Sequence, residues 1–363
     1  MHDLDAGPMI TMYSCGITPY DAAHLGHAFV YLTFDILQRR LRDAGSETRC
    51  VRNVTDVDDD LLRKARELGI HYLDLAAQEM AKFDYDMALL NLLPVYSEPR
   101  ATGAIAEILT LIGATFDKGL AYEVEGYVYF EVAKFPRFGQ VSHESRSRML
   151  ELAAQHGGRP EDPRKRDPLD FVLWQPSLED EPAWESRWGA GRPGWHIECS
   201  ALALRDLGET LDVHGGGRDL VFPHHECEAA QSESVTGVPF VRTWLHVGLV
   251  GLDGVKMSKS LGNLVFVSDL AKKSEPAAVR LALLAHHYRF DWQWRDEDLT
   301  TAQSRLSTWR STQGSTRTDD ILDQVRVALD NDLDTPSALA AIDVAAQCGF
   351  NVSHAAALLG VTL

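Results

Sequence analysis

Three consecutive stretches decide the fold: Ile10–Gly16 (ITMYSCG), Ala28–Gly45 (AFVYLTFDILQRRLRDAG) and Glu47–Thr55 (ETRCVRNVT). The first and last are short apolar runs of strand length, and the middle one repeats apolar residues at helical spacing. Strand, helix and strand in that order predict a β-α-β unit, which places the two strands parallel and covers their sheet with helices. The fold class expected is α/β, a parallel sheet covered by helices. Leu61–Ile70, Leu73–Leu93 and Glu98–Tyr122 continue the helical series, the last with a glycine near its end.

Beyond this unit the pattern divides the chain into four segments. Residues 1–123 form the first half of the α/β domain, and 124–193 an insertion that opens on a β-like YVYFEV and runs into a loop rich in Trp, Pro and Gly. Residues 194–273 return to strand-like segments, LDVHGGGRDL (Leu211–Leu220) and TWLHVGLVGL (Thr243–Leu252), and 274–363 are almost wholly helical. No internal repeat or low-complexity tract interrupts them.

Composition excludes several classes. The 363 residues are 45% hydrophobic and 24% charged, within the range of folded globular chains. The 35 Lys and Arg against 53 Asp and Glu give a net charge of −18, the wrong sign for a protein held to nucleic acid mainly by phosphate neutralisation. A local basic patch is compatible with that total. Five scattered cysteines and an acidic N-terminus without a long apolar run predict a cytoplasmic chain with neither disulfide framework, leader nor membrane span.

Two motifs carry phosphate chemistry. In CGITPYDAAHLGHA (Cys15–Ala28) a strand ends in a glycine turn and a helix opens near His24, so His24 and His27 share one face of the first helical turn. Unpaired backbone N–H groups and the helix dipole favour an anion there. In VGLDGVKMSKSLGN (Val250–Asn263), Lys256 and Lys259 sit on a short polar loop, where ammonium groups can meet charge developing on a leaving pyrophosphate. Each alone is equally compatible with solvated surface residues.

A third group is of metal-ligand type: Cys15, Cys199 at the end of GWHIEC, and His224 and Glu228 in FPHHECE. His224 and Glu228 are four apart and face the same way on a helix, and the thiolates come from distant segments. A zinc protease is the rival reading of such a cluster, but HHECE lacks the second histidine of HExxH.

Taken together, His24-Leu25-Gly26-His27 and Lys256-Met257-Ser258-Lys259-Ser260 resemble the HIGH and KMSKS signatures of class I aminoacyl-tRNA synthetases. The resemblance implies ATP binding on a Rossmann-type sheet and attack of an amino-acid carboxylate on the α-phosphate, with magnesium accompanying ATP. The metal-ligand set is similar to that of cysteinyl-tRNA synthetases and of their tRNA-independent relatives, the mycothiol cysteine ligases. By that resemblance Cys15, Cys199, His224 and Glu228 bind zinc. Zinc takes the substrate cysteine as a further thiolate and passes over serine, whose hydroxyl is harder and far less acidic. His24, His27, Lys256 and Lys259 are the implied catalytic residues. Gly16, Ile17, Thr18, Gly217, Arg218, Asp219 and Val250 are implied around ATP, with HGGGRD as a glycine loop under the adenosine. Cys15, Asn53, Val54, Thr55 and Trp195 are implied around cysteine.

The resemblance spans about residues 10–345 and leaves the acceptor to be decided. CGITPYD is closer to the ligases than the synthetases' usual CGPTVYD, QHGGRP (Gln155–Pro160) resembles the ligases' ERGGDP element, and the chain ends soon after DNDLDTPSALAAI, where synthetases continue into an anticodon-binding domain. These features imply the ligase branch: L-cysteine joined to the amine of glucosaminyl-inositol, with release of AMP and pyrophosphate, by a monomer that uses no nucleic acid or membrane. Val30 in place of the usual Thr, Arg218 in place of a usual Ser, the altered charges of QHGGRP and the synthetase-like Glu228 keep two alternatives open. One is a cysteinyl-tRNA synthetase without the anticodon domain, and the other a paralogue that couples cysteine to another small amine. No general base follows from the sequence, Asp56 and His246 being equally open to structural roles.

Overall fold

The computed structural model describes residues 7–20, 24–257, 262–313, 316 and 320–363. β1 (Met9–Ile17), α1 (Leu25–Asp43) and β2 (Glu47–Val54) form the expected β-α-β unit, with β1 and β2 parallel and Met9 opposite Glu47. Alternation along β1 splits its side chains between two cores: Ile10 and Met12 join α1 on one face, while Tyr13 and Cys15 turn to the other. Cys15 thereby reaches the candidate site from the end of a central strand. α2 (Asp59–Leu68), α3 (Tyr72–Leu89) and α4 (Ile105–Asp117) follow. Gly69 closes α2 in the left-handed conformation that suits glycine.

The chain then builds a separate antiparallel sheet from β3 (Ala121–Val124), β4 (Tyr127–Phe130), β5 (Phe171–Pro176) and β6 (Gly191–Pro193), in that spatial order, with α5 (Arg146–Gln155) between β4 and β5. Phe130, Phe138 and Phe171 stack on its inner face, and Phe171 meets His196 edge-on, so the sheet forms a wall of the candidate site.

α6 (Trp195–Leu207), β7 (Leu211–Gly217), α7 (Glu226–Thr236) and β8 (Val241–Val247) complete a parallel sheet in the order β2-β1-β7-β8. The glycines of HGGGRD differ from expectation. Gly215–Gly217 belong to β7 rather than to a loop, pairing with Leu245–Val247 of β8, and the turn begins at Arg218. A side chain at 215 would place its Cβ 1.8 Å from the Leu245 carbonyl oxygen, so glycine is what lets the strands approach.

β9 (Val250–Leu252), β10 (Val255–Lys256) and α8 (Val267–Ala271) lead to α9 (Pro276–Leu284), β11 (Trp292–Gln293), α10 (Asp296–Ser311), α11 (Asp320–Asp330), α12 (Thr335–Gln347) and α13 (Ser353–Leu358). These helices share the larger core with α1. A buried ion pair joins the two regions: Arg280 of α9 meets Asp35 of α1 and donates to the carbonyls of Leu359 and Leu90 at 2.7 Å. Among the described residues no helix is long and apolar enough to cross a membrane.

Candidate active site and metal centre

Cys15, Cys199, His224 and Glu228 converge from β1, α6, the turn Val221–His225 and α7, with one ligand atom of each lying within 4.8 Å of all the others. Cys15 Sγ is 3.5 Å and His224 Nε2 3.2 Å from Glu228 Oε1. His224 Nδ1 bonds to His196 Nδ1 at 2.9 Å, yet Nε2, buried, makes no hydrogen bond. A buried imidazole nitrogen aimed at a carboxylate and two sulfurs without a hydrogen bond suits a cation between them. Without one, burial dominates: it pushes the Cys15 thiol well up, the nearby Cys199 and Glu228 adding to the effect, and drives His224 well down. Thiolate and neutral imidazole are the states a divalent ion favours.

Trp195 stacks on His224 with ring centroids 4.2 Å apart and covers the cluster. Asn53 lies beneath, but both ends of its amide are engaged locally: Oδ1 accepts from Gly16 N at 2.8 Å and Nδ2 donates to Thr55 Oγ1 at 3.1 Å. Asn53 thus braces the CGIT turn against Thr55, whose own N–H donates to Ile17 O. Gly16 is required by the same approach, since a Cβ there would fall 1.4 Å from Asn53 O. Val54 is buried and Thr18 half-buried beside them.

His24 is the N-cap of α1. Its Nδ1 accepts from Gly26 N at 3.0 Å, and His27 Nδ1 accepts from His24 N at 3.3 Å. With Nδ1 accepting in both rings, the proton of each neutral imidazole sits on Nε2, a donor suited to phosphate oxygen. Met257, fully buried, donates its N–H to Val250 O, and Leu25 N donates to Val265 O. Lys259 and the side chain of Lys256 lie outside the described residues. Asp219 Oδ1 occupies the space a Cβ on Gly217 would need, whereas Arg218 turns away to Asp291 at 3.1 Å and to the Arg289 carbonyl.

The chain matches the family described as tRNA synthetases class I (C) catalytic domain over residues 3–304. The chain belongs to that family. The L-cysteine:1D-myo-inositol 2-amino-2-deoxy-alpha-D-glucopyranoside ligase of Nocardiopsis dassonvillei is 52% identical over 341 residues, covering 93% of this chain and 84% of the relative. The ligase of the same name from Thermobifida fusca is 51% identical over 346 residues, 93% of this chain and 83% of the relative. Methionyl-tRNA synthetase of Mycobacterium tuberculosis, solved with methionyl-adenylate, superposes with a TM-score of 0.68 at 18% identity, covering 94% of this chain and 82% of that one. That likeness shows the class I fold.

Within the class I framework, several residues not named above as ligands surround the candidate metal centre. His214 and His225 are fully buried, with His214 Nε2 3.1 Å from Glu228 Oε2 and His225 Nε2 3.4 Å from Cys15 Sγ. His214 had been visible only as the head of a glycine run, although a histidine on the strand next to the cysteine-bearing one was the available signal. Glu226 accepts three backbone N–H groups, from Gly139, Val141 and Ser142 at 2.7, 3.1 and 2.8 Å, and so fastens the insertion to the turn that carries His224. Of the two general-base candidates, Asp56 is buried and bound by Thr102 N and Oγ1 at 2.9 and 2.7 Å, a structural role. His246 is bonded to His225 Nδ1 at 2.8 Å.

Proposed function

We propose that this chain activates L-cysteine with ATP to a cysteinyl adenylate and transfers it to the 2-amino group of glucosaminyl-inositol, releasing pyrophosphate and AMP. The observation that carries this reading is the pair of relatives named as that ligase, each about half identical over nine-tenths of the chain. The donor set of Cys15, Cys199, His224 and Glu228, with the unbonded His224 Nε2 at its centre, supports a zinc ion. When bound, zinc supplies a position that accepts the substrate thiolate and discriminates against serine.

The remaining work falls to the chain. His24 and His27 stand at the start of α1, where a helix terminus favours triphosphate, and with Nδ1 accepting from the backbone each carries its donor on Nε2. Lys256 and Lys259 neutralise the departing pyrophosphate, a role that rests on the KMSKS resemblance. Gly16, Ile17, Thr18, Gly217, Asp219 and Val250 shape the adenylate site, magnesium entering with ATP. Arg218 is better suited to holding the turn after β7 than to touching the nucleotide, given its bonds to Asp291 and Arg289. Trp195, Val54 and Thr55 enclose the cysteine, with Asn53 as their brace.

Amide formation then needs the acceptor amine neutral, so that its lone pair attacks the adenylate carbonyl, AMP leaves with the carbonyl–oxygen bond, and the amine proton passes to solvent or a base. Cysteine-dependent ATP–pyrophosphate exchange tests the activation half. Exchange with cysteine and none above background with serine is expected; equal exchange with both would overturn the selection by thiolate.

A further inference from the structure

The two buried histidines beside the metal centre complete a second ligand set. We infer that Cys15, His214, His225 and Glu228 form an alternative position for the ion, sharing Cys15 and Glu228 with the first set and exchanging Cys199 and His224 for His214 and His225. The inference rests on the metal reading of the site given above. One ligand atom of each of these four buried residues lies within 4.8 Å of the others. The separations are 3.4 Å for Cys15 Sγ to His225 Nε2, 3.5 Å for Cys15 Sγ to Glu228 Oε1, 3.1 Å for His214 Nε2 to Glu228 Oε2 and 4.0 Å for His225 Nε2 to Glu228 Oε1. Zinc–sulfur and zinc–nitrogen bonds of ordinary length draw tetrahedra with edges of roughly 3.3–3.8 Å, a range that the Cys15–His225 and Cys15–Glu228 separations already meet, while His214 approaches the second carboxylate oxygen of Glu228.

The orientation of the rings is the independent observation. His214 Nδ1 donates to the Tyr13 carbonyl oxygen at 3.0 Å, which turns Nε2 inward to Glu228. His225 Nδ1 is bonded to His246 Nε2 at 2.8 Å, which turns its Nε2 to Cys15. An outer ring nitrogen held by a carbonyl or another side chain is the arrangement that aims metal-binding histidines. Because Cys15 and Glu228 are shared, the two positions exclude each other and the chain holds one ion. They differ in charge: the first set brings two thiolates and a carboxylate, the second one thiolate, one carboxylate and two neutral rings. A divalent ion is neutralised in the second position and left with a net negative shell in the first.

Cobalt(II) binding to the full chain reads the two sets apart, because sulfur-to-cobalt charge-transfer absorption scales with the number of thiolates. The wild-type protein is expected to bind one cobalt with a two-thiolate band. His224→Gln is expected to keep one ion with the band at about half that intensity, and adding His225→Gln to remove the ion. Folding of each variant is followed by far-ultraviolet circular dichroism. If His224→Gln does not fold, Cys199→Ser takes its place, with a one-thiolate band that is lost on adding His214→Gln. A folded single variant that binds no metal, that keeps the full two-thiolate band, or that keeps its ion after the second substitution overturns the alternative set. A wild-type protein that binds no cobalt contradicts the metal reading itself, a separate result.

Discussion

On the proposed reading, Cys199 is the residue on which selection of cysteine turns. Replacing its sulfur by oxygen leaves the fold of α6 intact and removes one of the two thiolates that make the centre soft. Cys199→Ser is expected to lower cysteine-dependent pyrophosphate exchange to background, even where metal is retained; unchanged exchange would show that the thiolate is not what selects the substrate. The donor types of Cys15, Cys199, His224 and Glu228 could be read from the chain because each stands in a short motif. His214 could not, since a histidine in front of three glycines reads as a turn, and His225, although it stands beside His224 in FPHHECE, gives no sign in sequence of which way its ring faces. Only the pairing of β7 alongside β1, Tyr13 facing His214, brings that ring to Glu228. Asn53 shows the converse: a pocket residue by resemblance, it is occupied on both sides of its amide by Gly16 and Thr55.

At the scale of elements, the site depends on a clamp. Glu226, at the start of α7 and 1% exposed, holds the loop after Phe138 by three N–H groups, and so joins the insertion to the turn that carries His224. Glu226→Gln replaces one acceptor oxygen by a donor and strands at least one buried N–H, at a cost of about 1–3 kcal/mol. A lower melting temperature and faster proteolysis around residues 139–145 are expected; unaltered proteolysis would mean that the loop is held by other contacts. Of the insertion's strands only β4 is visible in sequence, as the β-like YVYFEV, and a carboxylate that serves another segment's backbone leaves no periodic trace.

Asp58 gives the same scale a pH dependence. It caps α2, accepting from Asp60 N at 2.8 Å, and burial, with Asp59 and Asp60 adding their charge, pushes its carboxyl up from 3.8 to about 6. The folded state therefore binds this proton more tightly than the unfolded chain, so its contribution to stability is greatest below pH 3.8 and is lost as the pH rises through 6. Asn caps as well as Asp and does not ionise. Asp58→Asn is expected to gain stability relative to the wild type as the pH rises from 4 to 7, then to hold that gain; a difference independent of pH between 4 and 7 would contradict the assignment.

For the whole molecule, the Asp35–Arg280 pair ties the helix that carries His24 and His27 to the helical region that follows the lysine loop. Both side chains are 1% exposed, so deleting one partner leaves an uncompensated buried charge. Arg280→Leu is expected to reduce the unfolding free energy by about 3–5 kcal/mol. A urea midpoint equal to that of the wild type would show that the pair is dispensable. The α/β core was legible from the first 55 residues because two apolar strands and an amphipathic helix obey simple periods. The pair was not, because Asp35 and Arg280 are 245 residues apart and each looks like an ordinary polar position on its helix.

The central claim concerns the acceptor. Its most direct test is AMP release by the purified protein given ATP and cysteine, with glucosaminyl-inositol compared against cysteine-specific transfer RNA. Stimulation by the amino sugar, with formation of its cysteinyl amide and no effect of the RNA, is the result predicted. Stimulation by the RNA alone, or cysteine-dependent pyrophosphate exchange with no response to the sugar, would contradict it.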